Sequence, residues 1–304
     1  MFSRLIASAL PYLPERLIWT FSRRYIAGST IADVLAEARR RNEKGAAATL
    51  DLLGESNTDP ARVEEYVKEY GHLIAAAAEE GIDTSFSVKP TMFGLKGDRE
   101  RCFAAVAGLC RRAAATDRFL RLDMEDSSCT DDEIELFTRL RREFPGHVAI
   151  VLQAYLRRTA EDLRRLDALN TPEHPVNVRL CKGIYLEPPE IAFRRKEEIH
   201  AAFLADLDFM LGRGFRAAIA THHDELIRGS LERLARHGTS REMYEFQFLH
   251  GVRPRLVEEI LAQGHPVRIY IPYGAEWLSY STRRLQENPN IVGQVVKSTL
   301  LGRG

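Results

Sequence analysis

The sequence predicts an α/β fold, a (β/α)8 barrel, from three observations. From residue 45 onward, short apolar runs alternate with charged stretches of helical period. Eight such runs fall between residues 47 and 274. Several of them also alternate internally, polar against apolar. Alternating strands and helices demand crossover connections and therefore a parallel sheet. Eight repeats at this spacing close into a barrel rather than opening into a doubly wound sheet.

In order, the runs are residues 47–55 (AATLDLLGE), 85–91 (SFSVKPT), 118–125 (RFLRLDME), 147–155 (HVAIVLQAY), 176–183 (VNVRLCKG), 215–223 (FRAAIATHH), 244–251 (YEFQFLHG) and 267–274 (VRIYIPYG). Helix-like segments separate them, at residues 63–81, 99–108, 130–144, 160–169, 196–214, 223–238 and 253–264. Gly81, Gly214, Gly238 and Gly264 stand where helices should stop. Thr130 with Glu133 three residues later reads as a capping box opening a helix.

Composition narrows the function. The 304 residues carry 43 basic and 43 acidic side chains, so no net field favours nucleic acid. A 45% hydrophobic content supports a large core. Cys102, Cys110, Cys129 and Cys181 form no CxxC pair and read as small core residues of a protein from a reducing compartment. No apolar run reaches membrane-span length. The first 28 residues read as short amphipathic helices broken at Pro11 and Pro14, with arginines interrupting the apolar stretches, which argues against a secretory signal. They either pack on the main domain or lie against a membrane surface or partner. Residues 1–45 are thus expected to form a helical extension and 46–304 the barrel.

Parity within the runs locates chemistry. Phe86 and Val88 oppose Ser85, Ser87 and Lys89; Leu120, Leu122 and Met124 oppose Arg121, Asp123 and Glu125; Val178 and Leu180 oppose Arg179 and Cys181. A barrel strand turns one parity toward its helices and the other inward. The inward parity here is polar, and Lys89, Asp123, Gln153, Arg179, His222, Gln247 and Tyr270 gather toward the C-terminal strand ends, where barrel enzymes keep their sites. After the eighth run, Tyr280, Arg283, Arg284 and Glu287 share one helical face. Paired guanidiniums suit a carboxylate or phosphate. Arg111–Arg112, Arg141–Arg142 and Arg194–Arg195 read as solvated helix faces, His250 and His265 as structural histidines.

The motifs SVKPT (87–91), LDME (122–125), QAY (153–155), VRLCKGIY (178–185), ATHH (220–223), EFQFLHG (245–251), RIYIPYG (268–274) and YSTRRLQEN (280–288) together resemble the proline dehydrogenase family. The resemblance implies a distorted barrel with its last helix over the mouth, holding FAD and oxidising L-proline to Δ1-pyrroline-5-carboxylate by hydride transfer to flavin N5. It implies that Arg283, Arg284 and Lys89 hold the substrate carboxylate. Asp123 would position Lys89 or the surrounding network, Tyr270 and Tyr280 shape the ring pocket, and Leu249 pack on its apolar edge. Arg179 would stand near flavin N5, Gln153 bond the isoalloxazine edge, and Met124 lie close by. Lys182, Gly183 and Ile184 would line the cofactor tail, Thr221 and His222 its adenosine side, and Glu287 would tie the last helix to the site. The implied electron acceptor is a quinone, which gives the N-terminus a purpose as a peripheral membrane contact on the cytoplasmic side; product hand-over to a separate pyrroline-5-carboxylate dehydrogenase is a further expectation. Ile184 stands where the family usually has alanine and His223 where asparagine is frequent, whereas Tyr270, retained here, favours proline over hydroxyproline. The rival readings are a metal-dependent hydrolase built on His222, His223 and Asp224, and a flavin-free binding protein on the same barrel.

Overall fold

A computed structural model describes Trp19 and residues 22–54, 56–278 and 281. Its strands are β1 (Ala47–Leu52), β2 (Thr84–Val88), β3 (Leu120–Leu122), β4 (Val148–Gln153), β5 (Asn177–Cys181), β6 (Arg216–Ala220), β7 (Tyr244–Leu249) and β8 (Val267–Tyr273). Each pairs in parallel with the next, and β8 closes on β1 through the register Ala48↔Ile269 and Thr49↔Tyr270. Helix α1 (Ile31–Glu43) precedes β1; α2 (Pro60–Glu79), α3 (Arg99–Ala114), α4 (Thr130–Glu143), α5 (Thr159–Asp167), α6 (Lys196–Gly212), α7 (Asp224–His237) and α8 (Pro254–Ala262) link successive strands. The barrel inferred from the run pattern is therefore the observed architecture.

The apolar core is the layer between barrel and helices. Phe86, Leu120, Leu122, Val178, Leu180, Ile219 and Phe246 face outward and are fully or almost fully buried against helix residues such as Tyr70, Leu109, Phe137 and Phe203. Several helices begin as their sequences dictate. Thr30 and Asp33 form a reciprocal capping box on α1, and Asp59 caps α2 immediately before Pro60. The four expected glycine stops all carry positive φ.

Three local expectations are corrected. The apolar runs overshoot the strands, most of all at β3, which is three residues long although its run spans eight. Leu122 ends the ladder because Asp123, Met124 and Glu125 turn away to line the barrel mouth. Helix α4 starts without the expected capping box: its N-cap is Cys129, and no side chain caps it. The Glu133 carboxyl is taken instead by the backbone N–H of Glu125, 3.0 Å away. Arg141 is not solvated but buried, its guanidinium donating to the His174 carbonyl. His250 does serve structure, buried beside Arg41 and Glu37, and His265 is bonded to the Tyr244 hydroxyl at 2.7 Å.

The segment ahead of α1 is fastened to the end of β8. Ala27 N–H donates to the Pro272 carbonyl at 3.0 Å, and Gly274 N–H to the Gly28 carbonyl at 3.1 Å. Trp19 meets Trp277 edge-on at 4.7 Å. Pro11 and Pro14 lie outside the described residues.

Buried on α6, the Asp206 carboxyl has one oxygen without a hydrogen-bond partner. Burial pushes its pKa up to about 7 from 3.8. Between those values the unfolded chain has released the proton that the folded chain retains, so stability falls as pH rises and levels off above about 7. The loss amounts to at most about 4 kcal/mol. Asp206→Asn is expected to raise the urea midpoint at pH 8, with less than half that gain at pH 5, as unfolding curves at both pH values will read.

Candidate active site

At the C-terminal ends of the strands lies a cavity of about 400 Å³. Its wall gathers every sequence-predicted site residue that falls within the described part: Lys89, Asp123, Met124, Gln153, Arg179, Lys182, Gly183, Ile184, Thr221, His222, Leu249 and Tyr270. Tyr280, Arg283, Arg284 and Glu287 lie outside the described residues. Trp277, Leu278 and Ser281, from the same stretch, are helical.

The strands explain this convergence. Inward positions on β5 and β7 carry Arg179 and Gln247, and β5 pairs Arg179 with Ala218 on β6 and Val151 on β4. Those small and medium neighbours leave the interior open for the guanidinium. Arg179 is bonded at all three of its nitrogens. Nε donates to Gln247 Oε1 at 2.5 Å, one terminal nitrogen to Asp123 Oδ1 at 2.7 Å, and the other to Ser87 Oγ at 3.2 Å. Asp123 uses its second oxygen to accept from the Tyr270 hydroxyl at 2.7 Å, and the Arg179 guanidinium lies 5.0 Å from the Tyr270 ring centre. Charge-assisted contacts of this kind are short and orienting.

Lys89 leans elsewhere. Its ammonium donates to Asp51 Oδ1 at 2.8 Å, so the first strand supplies the partner, and Asp123 belongs to the Arg179 network. Asp51 went unrecognised because it sits within an apolar run, although it shares the inward parity of Thr49. The Asp51 side chain is almost completely buried. Burial pushes its carboxyl up against the pull of Lys89. Burial also opposes the charge on Lys89, but Asp51 and then Asp123 hold that ammonium above its ordinary pKa. The 2.8 Å contact is an ion pair.

Around the rim, His222 Nε2 accepts from the Leu249 N–H at 3.1 Å. Burial, then Lys182 and Arg253, pulls His222 down to about 4, so it is neutral near pH 7. His223 Nε2 lies 2.8 Å from Lys182 Nζ. Both histidines line the cavity, because β6 has ended at Ala220 and strand alternation no longer separates them. These contacts engage the Nε2 of each ring. Cys181 also lines the cavity, and burial lifts its thiol to about 11. The loop after β5 turns at Gly183 with φ +102°, and a Cβ there would sit 2.0 Å from Tyr155 Cδ1. Only glycine lets this backbone lie flush on the Tyr155 ring.

Two features of the wall fit a flat heteroaromatic ligand. Gln153 donates to the Glu125 carbonyl at 2.8 Å, while its buried Oε1 has no partner among the described residues. That oxygen would take an N–H from a ring edge. Ile184 and Leu249, 53% and 40% exposed, offer apolar surface that a ring would cover.

The family model described as proline dehydrogenase matches residues 34–297. The chain belongs to the proline dehydrogenase family. It is 33% identical over 279 residues to proline dehydrogenase 1 of Bacillus subtilis (strain 168), covering 92% of this chain and 90% of that protein. Against the proline dehydrogenase of Deinococcus radiodurans it is 33% identical over 294 residues, covering 95% and 93%. The structure of proline utilization A (PutA) from Bdellovibrio bacteriovorus, inactivated by N-propargylglycine, superposes with a TM-score of 0.83 at 24% identity. That match covers 89% of this chain but only 33% of the PutA chain, and it speaks for the fold.

The ion pair beneath the cavity gives a direct test. Asp51→Leu strands the Lys89 ammonium and is expected to cost about 3–5 kcal/mol. Adding Lys89→Met should recover most of that loss, as urea unfolding of both variants will show; no recovery would mean the two charges are not coupled.

Proposed function

We propose that this chain oxidises L-proline to Δ1-pyrroline-5-carboxylate with FAD and passes the electrons to a quinone, residues 1–45 serving as an N-terminal extension and 46–304 as the catalytic barrel. The observation that carries the reading is the meeting of Lys89, a fully braced Arg179 and the unpaired Gln153 Oε1 on one cavity wall of a proline dehydrogenase family member. FAD, when bound, would supply the two-electron acceptor that protein side chains lack, and Gln153, Lys182, Gly183, Ile184, Thr221 and His222 would hold it.

The rest falls to the chain itself. Lys89 retains hydrogens for the proline carboxylate after giving one to Asp51. Of the described cavity cations, Lys89 and Arg179 are each neutralised by a carboxylate, whereas Lys182 lies against His223. Arg283 and Arg284 would add the charge that captures the carboxylate. Pinning the carboxylate at one end sets C5 at the other, a near-attack placement. Arg179, held at three points, presents positive charge where negative charge develops, with no reorganisation required. Leu249, Tyr270 and Tyr280 enclose the ring, Gln153 accepts from the flavin edge, and Met124 packs beside it. Lys182, Gly183 and Ile184 run along the cofactor tail, Thr221 and His222 along the adenosine side, and Glu287 anchors the last helix. Ile184 in place of a smaller residue narrows this part of the cavity.

No helix among the described residues is long and apolar enough to cross a membrane. Access to a quinone would come through peripheral contact by the basic, apolar N-terminus on the cytoplasmic side, and the product would pass to a separate pyrroline-5-carboxylate dehydrogenase.

The test is anaerobic addition of L-proline to the FAD-loaded protein. The flavin absorbance should bleach, and far more slowly with hydroxyproline. A flavin that stays oxidised would contradict the substrate, and a protein that cannot be loaded with FAD would contradict the cofactor.

A further inference from the structure

Below the cavity, the barrel interior carries a hydrogen-bonded chain that begins on a carboxylate outside the cavity wall. Glu245 is buried on β7, two residues before Gln247, and is not part of the cavity wall, whereas Gln247 and Arg179 are. Its carboxylate accepts from Arg268 Nε at 3.0 and 2.9 Å and from Gln247 Nε2 at 2.5 Å. Arg268 is in turn fixed to the barrel by the Ala48 carbonyl, 2.6 Å away.

We propose that Glu245 is a positioning residue for the oxidation, setting the Arg179 guanidinium through Gln247; the proposal rests on the function proposed above. Valence sets the direction of each bond. An ionised carboxylate only accepts, so the Gln247 amide must turn its NH2 toward Glu245 and its oxygen toward Arg179. A flipped amide would set NH2 against N–H and push the guanidinium off its seat. With Oε1 presented to Arg179 Nε, the two remaining nitrogens are aimed at Asp123 and Ser87. Glu245 and the donor-only Arg179 both favour this one amide orientation, and Glu245 anchors the amide on the side away from the cavity. Arg268, Arg121 and Arg216 surround Glu245 electrostatically, and despite its burial they and Gln247 keep the carboxyl below its ordinary pKa. It therefore acts as an acceptor throughout the neutral range.

The test uses FAD-loaded full-length protein carrying Glu245→Gln, Gln247→Met or both. Glu245→Gln removes the charge and lets residue 245 present either an oxygen or an NH2 to Gln247, so only the Arg179 Nε–H still constrains the amide. Gln247→Met cuts the chain while leaving the Glu245–Arg268 pair in place, and it decides the matter should Glu245→Gln not fold. Each single variant should lower the limiting rate of flavin bleaching by proline about 10- to 100-fold, with half-saturating proline and FAD affinity little changed. Each should also make the flavin midpoint potential more negative. The double variant should be no slower than the slower single one, because both changes cut one chain. Wild-type rate and potential in folded Gln247→Met would overturn the proposal. So would losses that multiply in the double variant, or a Glu245→Gln protein that loses stability alone. If proline fails to bleach the wild-type flavin, the function reading falls by itself, and the midpoint potentials still decide whether Glu245 sets Arg179.

Discussion

The constraint on which the rest depends is that charge inside a closed barrel must find its partner there. Among the described residues, Asp51 holds Lys89, Asp123 holds Arg179 and Glu245 holds Arg268, one pair above another along the interior. Arg121 differs: fully buried, it is held by the neutral acceptors Ile150 O and Asn177 Oδ1 and lies over the Phe119 ring, and burial pulls its pKa far down. An apolar interior would be at least as stable as these pairs. What the pairs add is position. Arg179 and Arg268 are each fixed at several atoms before any ligand arrives, and that is the condition under which electrostatic stabilisation needs no reorganisation.

The outer layer answers a different demand. Strand residues of the opposite parity bury large apolar side chains under the helices, and that shell supplies the burial that drives folding. Because the two parities are separate, the interior is free to be polar without weakening the core. Phe86 and Ser87, or Leu180 and Arg179, are chain neighbours in opposite environments.

This separation is also why so much was legible in the sequence. Alternation within VNVRLCK and FLRLDME exposed both the strand direction and the inward polar set, and the eight runs gave the barrel. Asp51 and Glu245 were harder, because each sits in a run whose neighbours are apolar or aromatic, and their partners lie far away in the chain, at Lys89 and Arg268. Arg141 was misjudged because pairs of arginines on a helix usually face solvent, and only tertiary packing brings the His174 carbonyl to it. The capping box at Thr130 failed because Glu133 is claimed from outside its own helix, by Glu125. Local pattern fixes which way a side chain points; which group it meets there depends on closure of the barrel.

On the proposed function, one cavity wall, braced from within the barrel, receives the flavin ring. A crystal structure of the protein grown with FAD tests this most directly. The isoalloxazine should lie in the mouth cavity, with an N–H edge on Gln153 Oε1 and the tail along Lys182, Gly183 and Ile184. A flavin bound elsewhere, or a Gln153 oxygen still unpaired beside a bound flavin, would contradict it.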